Sequence, residues 1–266
     1  MIISNEKEIQ ALEEGGMSNK ELEYWRQYSE FMMSKYRDAY INSPYFQEEL
    51  RAINEFMEPK EKERWLDLGC GALPVSELLL TKKVDLELWA GDIILAPAEK
   101  KIEELGNPPV KLFYIDLTKK LKIPDNFFDG IGASKVLPYI PESQGEKGKE
   151  ALRQIFKELF RILKPGGTLV WSGSIKNVSR FRGTLLALGY ILNPYQWIKQ
   201  RCFLPVFAAK VNEVFKPMVE KIKEGTYPVL SQEENEDIIL SVGFENPEWR
   251  LTFGKQVVVN KVTKPL

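Results

Sequence analysis

Short apolar runs alternate with longer helical patterns along the central part of the chain. Trp65–Leu68, Val110–Ile115 and Phe128–Ala133 have the length and apolar character of buried strands. Between such runs lie stretches with an apolar residue every three or four positions, and Glu150–Leu163 shows this spacing most clearly. Strands that alternate with helices in this way are typical of a parallel, doubly wound α/β sheet.

The C-terminus departs from this alternation. Two strand-like runs, Glu248–Phe253 and Gln256–Val262, are separated by only two residues. A connection of that length permits a hairpin and forbids a parallel crossover. We therefore expect a mostly parallel sheet of seven strands with an antiparallel strand at its C-terminal end.

Two segments lie outside the regular pattern. Residues 1–63 predict an N-terminal helical extension, in which a helix from Ser18 to about Tyr40 carries dense aromatic residues. This extension either packs on the sheet or forms a lid over its crevice. Residues 176–230 predict a helical insertion after the fifth strand, within a main domain that spans residues 64–266.

The first strand ends in a glycine-rich turn. Asp67 precedes Gly69, Cys70 and Gly71, and Pro74 suits the first turn of the helix that follows. Glycine allows the backbone to approach a ligand closely, so the turn predicts a cofactor crevice at the carboxyl end of this strand. The third glycine of the dinucleotide-binding pattern is absent.

Acidic residues end the next two strands. Asp92 lies 21 residues after Gly71, where a carboxylate accepts hydrogen bonds from ribose hydroxyls, although it could instead cap the next helix. Asp116 is placed to accept a hydrogen bond from an exocyclic amine while Leu117 packs against a purine. The three strand ends therefore predict one shared nucleotide crevice.

These motifs, in this order, resemble the class I S-adenosylmethionine-dependent methyltransferases. The resemblance covers about residues 64–175 and also includes Pro124–Asp129 and Leu163–Leu169. It implies a Rossmann-like fold and is nearest to the small-molecule branch that contains quinone-biosynthesis enzymes. Members of the family usually have a glycine where this chain has Leu73.

The resemblance implies S-adenosylmethionine as the cofactor and no metal. It assigns the glycine turn to the methionine part, with Asp67 supporting the turn, Asp92 to the ribose, Asp116 to the adenine, and Ser134 to the methionine end. Tyr139 is a weak candidate for a catalytic side chain. The full cofactor-binding set comprises Tyr28, Asp67, Gly69, Cys70, Gly71, Asp92, Ile93, Asp116, Leu117 and Ser134.

Composition narrows the chemistry further. The absence of histidine excludes Ser-His-Asp and Cys-His catalysis and histidine-ligated metals within this chain. Two cysteines, Cys70 and Cys202, form no metal-binding or disulfide pattern. A hydroxyl acceptor would need a carboxylate, a tyrosinate or a lysine as its base, which mildly favours N- or C-methylation.

Charge is unevenly distributed. The net charge of −1 gives little support to nucleic acid as a partner, but Leu159 to Asn212 contains eight basic and no acidic residues. Basic and aromatic residues interleaved in this way indicate a cover for an apolar substrate, a membrane-surface contact through residues 176–211, or simply a solvated helical cap.

We therefore expect methyl transfer to a small, apolar acceptor of lipid or quinone type. A nicotinamide-dependent oxidoreductase is one alternative, and an RNA-directed or non-catalytic methyltransferase-like protein is another. The N-terminus does not look like a signal peptide, and no run approaches the roughly 20 apolar residues of a membrane span. These features predict a cytoplasmic protein, peripheral at most to the inner face of the membrane, and none indicates an oligomeric state.

Overall fold

A computed structural model of the chain describes residues 19–34, 36–137, 148–176, 188–199, 204–223, 229–252 and 255–266. The strands are β1 (Arg64–Leu68), β2 (Glu87–Asp92), β3 (Val110–Tyr114), β4 (Phe128–Ala133), β5 (Leu163–Ser174), β6 (Glu245–Thr252) and β7 (Val257–Thr263). The helices are α1 (Asn19–Met33), α2 (Tyr36–Ile41), α3 (Pro44–Phe56), α4 (Pro74–Leu80), α5 (Ala96–Glu104), α6 (Gly148–Ile162), α7 (Pro194–Lys199), α8 (Leu204–Lys223) and α9 (Gln232–Val242).

In the described chain the strands form a seven-stranded sheet in the order β3-β2-β1-β4-β5-β7-β6. Strands β1 to β5 are parallel, and β7 runs antiparallel to both β5 and β6. The predicted sheet and its C-terminal hairpin are therefore confirmed. The strand order reverses between β1 and β4, and ligands of such sheets bind in the crevice at this switch point.

Helices cover both faces of the sheet. On one face α6 and α9 bury Phe156, Leu159 and Ile239 against Leu66 and Ile131 of the strands. On the other face α3 and α4 pack against the sheet, with apolar residues at helical spacing. This second core contains Phe46, Leu50, Ile53, Trp65, Val75, Leu79, Leu88 and Val170. At least one helix of the N-terminal extension therefore belongs to the main core.

The helix predicted to run from Ser18 to about Tyr40 is wrong in its length. Helix α1 ends at Met33 and α2 begins at Tyr36. Ser34 explains the break, because its hydroxyl donates to the Phe31 carbonyl and accepts from the Tyr36 N–H, and these bonds compete with helix hydrogen bonds. Ser18 itself lies outside the described residues.

The proline and glycines of Lys164–Gly167 predict the end of the preceding helix, and α6 does end at Ile162, but the fifth strand, expected from Thr168, starts earlier. β5 begins at Leu163, so the segment Lys164–Gly167 lies within a strand. Its backbone groups bond to the C-terminal segment, since Gly166 N–H donates to the Lys264 carbonyl and Lys264 N–H donates to the Gly167 carbonyl. These long-range partners keep a proline- and glycine-rich segment in the sheet.

The insertion and the first helices lie together over the carboxyl ends of the strands. Leu204, Phe207 and Val214 of α8 share an apolar cluster with Phe31 of α1 and Ala72 of the glycine turn. Tyr28 and Phe215 meet edge to face, with 6.3 Å between ring centroids. The space between this helical layer and the sheet holds the candidate site.

Candidate functional site

A cavity of about 540 Å³ lies at the carboxyl ends of the strands, beneath α1 and α8. It brings together nine of the ten residues expected to bind the cofactor, all but Asp67. They are Tyr28, Gly69, Cys70, Gly71, Asp92, Ile93, Asp116, Leu117 and Ser134. Tyr139, the weak catalytic candidate, lies outside the described residues.

The turn after β1 has the backbone geometry that glycine favours. Gly69 and Gly71 have φ angles of +64° and +47°. A Cβ at Gly69 would lie 2.2 Å from the Val136 side chain, and one at Gly71 would lie 3.1 Å from the Tyr28 hydroxyl. A side chain at Gly69 would clash with Val136, one at Gly71 would crowd Tyr28, and the left-handed backbone favours glycine at both positions.

Leu73 stands where the family resemblance predicts a glycine, and it adopts the same left-handed conformation as Gly69 and Gly71. Its φ is +62°, and its N–H donates to the Cys70 carbonyl over 2.6 Å. This conformation costs an L-residue about 1–2 kcal/mol. The side chain is wholly buried beside Ala90 and Ala98, and this burial offsets the cost. The turn therefore keeps its shape without a third glycine.

Asp92 joins the end of β2 to the glycine turn. Its Oδ2 accepts from Gly71 N–H at 2.8 Å, and its Oδ1 accepts from Ile94 N–H at 3.2 Å. Burial raises the pKa of Asp92, and these backbone donors oppose the rise. The residue at the cap of α5 is Leu95, so the alternative that Asp92 caps this helix is wrong.

Asp116 follows β3 on the same side of the cavity. Its Oδ1 accepts from the Thr118 N–H at 2.9 Å, and its Oδ2 lies 3.0 Å from Lys119 Nζ. Leu117 lies beside it in the cavity wall. The local bonds hold the carboxylate at the rim of the cavity.

Asp67 does not line the cavity. Its Oδ2 accepts from both the N–H and the hydroxyl of Ser76, at 2.8 and 2.7 Å, and so ties β1 to the first turn of α4. Burial raises the pKa of Asp67 to about 7 even though these bonds oppose it. Its position fits support of the turn rather than direct ligand contact.

A second polar cluster lies at the ends of β4 and β5, and only Ser134 in it was expected. Lys135 Nζ lies 2.8 Å from Oε2 of Glu49, a wholly buried residue of α3. Oε1 of Glu49 accepts from the hydroxyls of Ser134 and Ser172, at 2.8 and 2.6 Å. The only local sequence signal for Lys135 was its place directly after Ser134.

The remaining cavity wall is largely apolar and aromatic. One part comes from the N-terminal helices and another from α8. The main side chains are Tyr24, Trp25, Met32, Tyr40, Tyr45, Phe46, Phe207, Val211, Phe215 and Val219. The site thus has a polar half at the strand ends and an apolar half under the helices.

Comparison with known proteins also separates the polar half of the cavity from the helices that line its apolar half. Residues 66–171 match the family model described as a methyltransferase domain. This part of the chain is therefore similar to a methyltransferase domain. The matched range contains the glycine turn, Asp92, Asp116 and Ser134, but it excludes the N-terminal helices and the insertion.

Two curated relatives match about two fifths of the chain. The chain is 31% identical to a sterol 24-C-methyltransferase from Aspergillus fumigatus over 110 residues, which is 41% of this chain and 27% of the relative. It is 32% identical to a 2-methyl-6-phytyl-1,4-hydroquinone methyltransferase from Synechocystis sp. over 108 residues, which is 40% of this chain and 30% of the relative. The chain thus spans less than a third of each relative it matches.

The methyltransferase fold extends over nearly the whole chain. A crystal structure of a SAM-dependent methyltransferase from Aquifex aeolicus superposes with a TM-score of 0.54 at 17% identity. The superposition covers 87% of this chain and 98% of that one. The shared fold includes the seven-stranded sheet with its antiparallel strand.

Asp67 should make the stability of the methyltransferase domain depend on pH. Between its ordinary pKa of 3.8 and about 7, the folded protein holds a proton that the unfolded chain releases. Stability therefore falls as the pH rises through this window. Asp67→Asn keeps an oxygen that accepts from Ser76 but cannot titrate. The free energy of unfolding of the variant minus that of the wild type should therefore be larger at pH 8 than at pH 4.5.

Urea unfolding at the two pH values measures this difference. Asp237→Asn, at an exposed position on α9, is the matched control and should show the pH dependence of the wild type. An equal difference between Asp67→Asn and the wild type at both pH values would contradict the raised pKa of Asp67.

Proposed function

We propose that the protein transfers a methyl group from S-adenosylmethionine to a small, apolar acceptor of lipid or quinone type. The observation that carries this proposal is the single cavity, which joins the acidic strand ends of a methyltransferase domain to an apolar aromatic chamber. A polar cofactor would bind in the polar half of the cavity, and an apolar acceptor would bind in the apolar half.

The residues of the polar half fit S-adenosylmethionine. Asp92 accepts backbone hydrogen bonds from Gly71, Ile93 and Ile94, and a carboxylate with about four lone-pair sites can still accept one from a ribose hydroxyl. On this proposal Asp116 and Leu117 contact the adenine, and the backbone of Gly71 lies beside the methionine part. Tyr28 closes this space from α1.

S-adenosylmethionine supplies an electrophilic methyl group, whose bond to sulfur breaks as the bond to the acceptor forms while the sulfur keeps the electron pair. The chain contributes by holding the two molecules in line, and this positioning supplies much of the rate acceleration. The apolar walls exclude water from the reacting atoms. Because no histidine is present to deprotonate a hydroxyl, nitrogen and carbon acceptors are mildly favoured.

The nature of the acceptor is supported by the relatives and by the cavity wall. The names of the two curated relatives describe methylation of a sterol and of a phytyl hydroquinone, both largely apolar molecules. The chamber in this chain is lined by aromatic and aliphatic side chains from α1, α2, α3 and α8. We infer that residues 1–63 and 176–230 together cover the acceptor.

We further propose that the insertion contacts an anionic membrane surface on the cytoplasmic side. Leu192, Tyr195 and Ile198 are 62%, 68% and 79% exposed, and Lys199 is exposed next to them. The neighbours Ile191 and Phe207 line the cavity, so this surface and the acceptor chamber share the same elements. Within the described part of the chain, no helix is both long and apolar enough to span a bilayer.

Transfer of a labelled methyl group tests the function directly. The protein, S-adenosylmethionine labelled in its methyl group and a lipid extract should together yield a lipid whose mass increases by the labelled methyl. Mass spectrometry identifies the product and thereby the acceptor. A parallel reaction contains cellular RNA in place of the lipid extract. Labelled RNA would favour the RNA-directed alternative, and cofactor binding without labelling of either lipid or RNA would favour the non-catalytic one.

Asp92→Ala should weaken binding of S-adenosylhomocysteine by about 1–3 kcal/mol, because charge-assisted hydrogen bonds to the ribose are lost. Calorimetric titration measures the affinity. Asp92→Asn is the milder change, since its one amide oxygen can still accept from Gly71 N–H, while the charge and the acceptor for Ile94 N–H are lost. Asp237→Ala is an exposed acidic control on α9. Unchanged affinity in Asp92→Ala would remove this residue from the cofactor site.

The double substitution Ile198→Asp/Lys199→Glu should weaken binding to vesicles of phosphatidylcholine and phosphatidylglycerol by at least about tenfold, through lost apolar insertion and lost charge attraction. Co-sedimentation at low salt measures the bound fraction. Leu240→Asp, at a half-exposed position on α9, provides a control outside the insertion. If the wild-type protein ignores these vesicles, the proposed membrane contact is wrong.

A further inference from the structure

A buried lysine stands in the wall of the acceptor chamber. Lys135 follows β4 with a φ of +56°, and its side chain is only 11% exposed. Its backbone N–H donates to the Ser172 hydroxyl at 2.9 Å, which fixes the start of the side chain. The ammonium is therefore held in place.

Glu49 provides the counter-charge but leaves donors on the ammonium. Oε1 of Glu49 is occupied by two serine hydroxyls, and Oε2 lies beside Lys135 Nζ. Among the described residues, Glu49 is the one acid paired with this ammonium. A lysine ammonium carries three donors, and among the described residues the buried Nζ has no hydrogen-bond partner beyond its ion pair with Glu49, so donors remain unsatisfied.

Aromatic rings surround the same ammonium. Nζ lies 3.9 Å from the ring centre of Tyr45, 4.1 Å from that of Phe46 and 5.6 Å from that of Tyr40. Several aromatic faces around one point form the usual binding site for quaternary ammonium ligands. In this protein the ammonium group of Lys135 occupies the position between the rings where such a ligand would bind.

The charge of the chamber follows from this arrangement. The charged side chains among the described residues of the cavity wall are Asp92, Asp116 and Lys135. The two acids stand at the proposed cofactor positions, at the ends of β2 and β3. Lys135 lies where the strand ends meet the aromatic wall, so the cation of the cavity stands at the boundary between the cofactor half and the acceptor half.

We propose that Lys135 makes the chamber select acceptors with an anionic or acidic oxygen, such as a phenolate, an enolate or a carboxylate, and reject ammonium acceptors. This inference rests on the proposed function and narrows it, because it favours carbon beside such an oxygen over amine nitrogen. Burial lowers the pKa of Lys135 while Glu49 opposes the shift, so a second anionic oxygen would stabilise the charged form.

Three probes with the same alkyl chain test the selection: decanoate, decanol and decyltrimethylammonium, each below its micelle concentration. Calorimetry with the full-length protein gives the affinities. The wild type should bind decanoate about 10- to 100-fold more tightly than decyltrimethylammonium, the range expected for a hydrogen bond to a charged group.

Lys135→Met should reverse this order, because Glu49 and the aromatic rings would then face the trimethylammonium group. Glu49→Gln/Lys135→Met removes both buried charges, which favours folding if the single variant is unstable, and it should bind the anionic and cationic probes alike. Decanol affinity should change little in either variant.

Lys111→Met is the matched control. Lys111 also combines an ion pair, 2.6 Å from Glu87, with an aromatic face, that of Trp89 at 5.0 Å, but it does not line the cavity. It should keep the selectivity of the wild type.

No preference for decanoate in the wild type, or a preference that persists in the double variant, would overturn the proposal. The same samples are also titrated with S-adenosylhomocysteine, and this affinity tests the proposed function independently of the anion preference. Intact binding of that molecule with no anion preference rejects only the role of Lys135, whereas absent binding rejects the proposed function.

Discussion

The cofactor half of the site depends on hydrogen bonds between the turn after β1 and the end of β2. The Gly91 carbonyl accepts from the N–H groups of Gly69 and Cys70, at 2.8 and 3.1 Å, and Asp92 accepts from Gly71. Three successive N–H groups of the turn are thus satisfied by the neighbouring strand. Because the turn is fixed in this way, left-handed conformations at Gly69, Gly71 and even Leu73 are tolerated, and the cavity floor is set before any ligand binds.

A second constraint joins the acceptor half to the sheet. Glu49 lies on α3, outside the matched methyltransferase domain, yet its carboxylate receives Ser134, Ser172 and Lys135 from the ends of β4 and β5. A carboxylate buried to this extent is stable only with such partners. The aromatic residues of α2 and α3 are thereby held over the chamber, so these N-terminal helices contribute both to the core and to the acceptor wall.

Sequence reasoning succeeded where the signal was local. The strand–turn–helix pattern around Gly69, the acid that ends β2 and the short hairpin connection each depend on residues close together in the chain, and the structure brings them together as expected. It failed where distant residues decide the outcome. The partners of Glu49 lie 85 or more residues away, and the Pro-Gly-Gly segment of β5 stays in the sheet because Lys264 bonds to it. The break at Ser34 was missed for another reason, since a hydroxyl that competes for backbone groups is not visible in an apolar pattern.

The similarity to known proteins covers the cofactor side of the cavity but little of its apolar wall. The match to the methyltransferase domain covers residues 66–171 and holds the predicted cofactor residues of the strand ends, whereas most of the apolar chamber comes from helices before and after that range. Under the proposed function, substitutions in the outer helices would change acceptor choice without disturbing the glycine turn. Lys135 is the exception, because it lies within the matched range while Glu49 and the aromatic faces around it come from outside. The charge of the chamber thus depends on both parts of the chain, and substitution of either part alone would leave a buried charge without its partner.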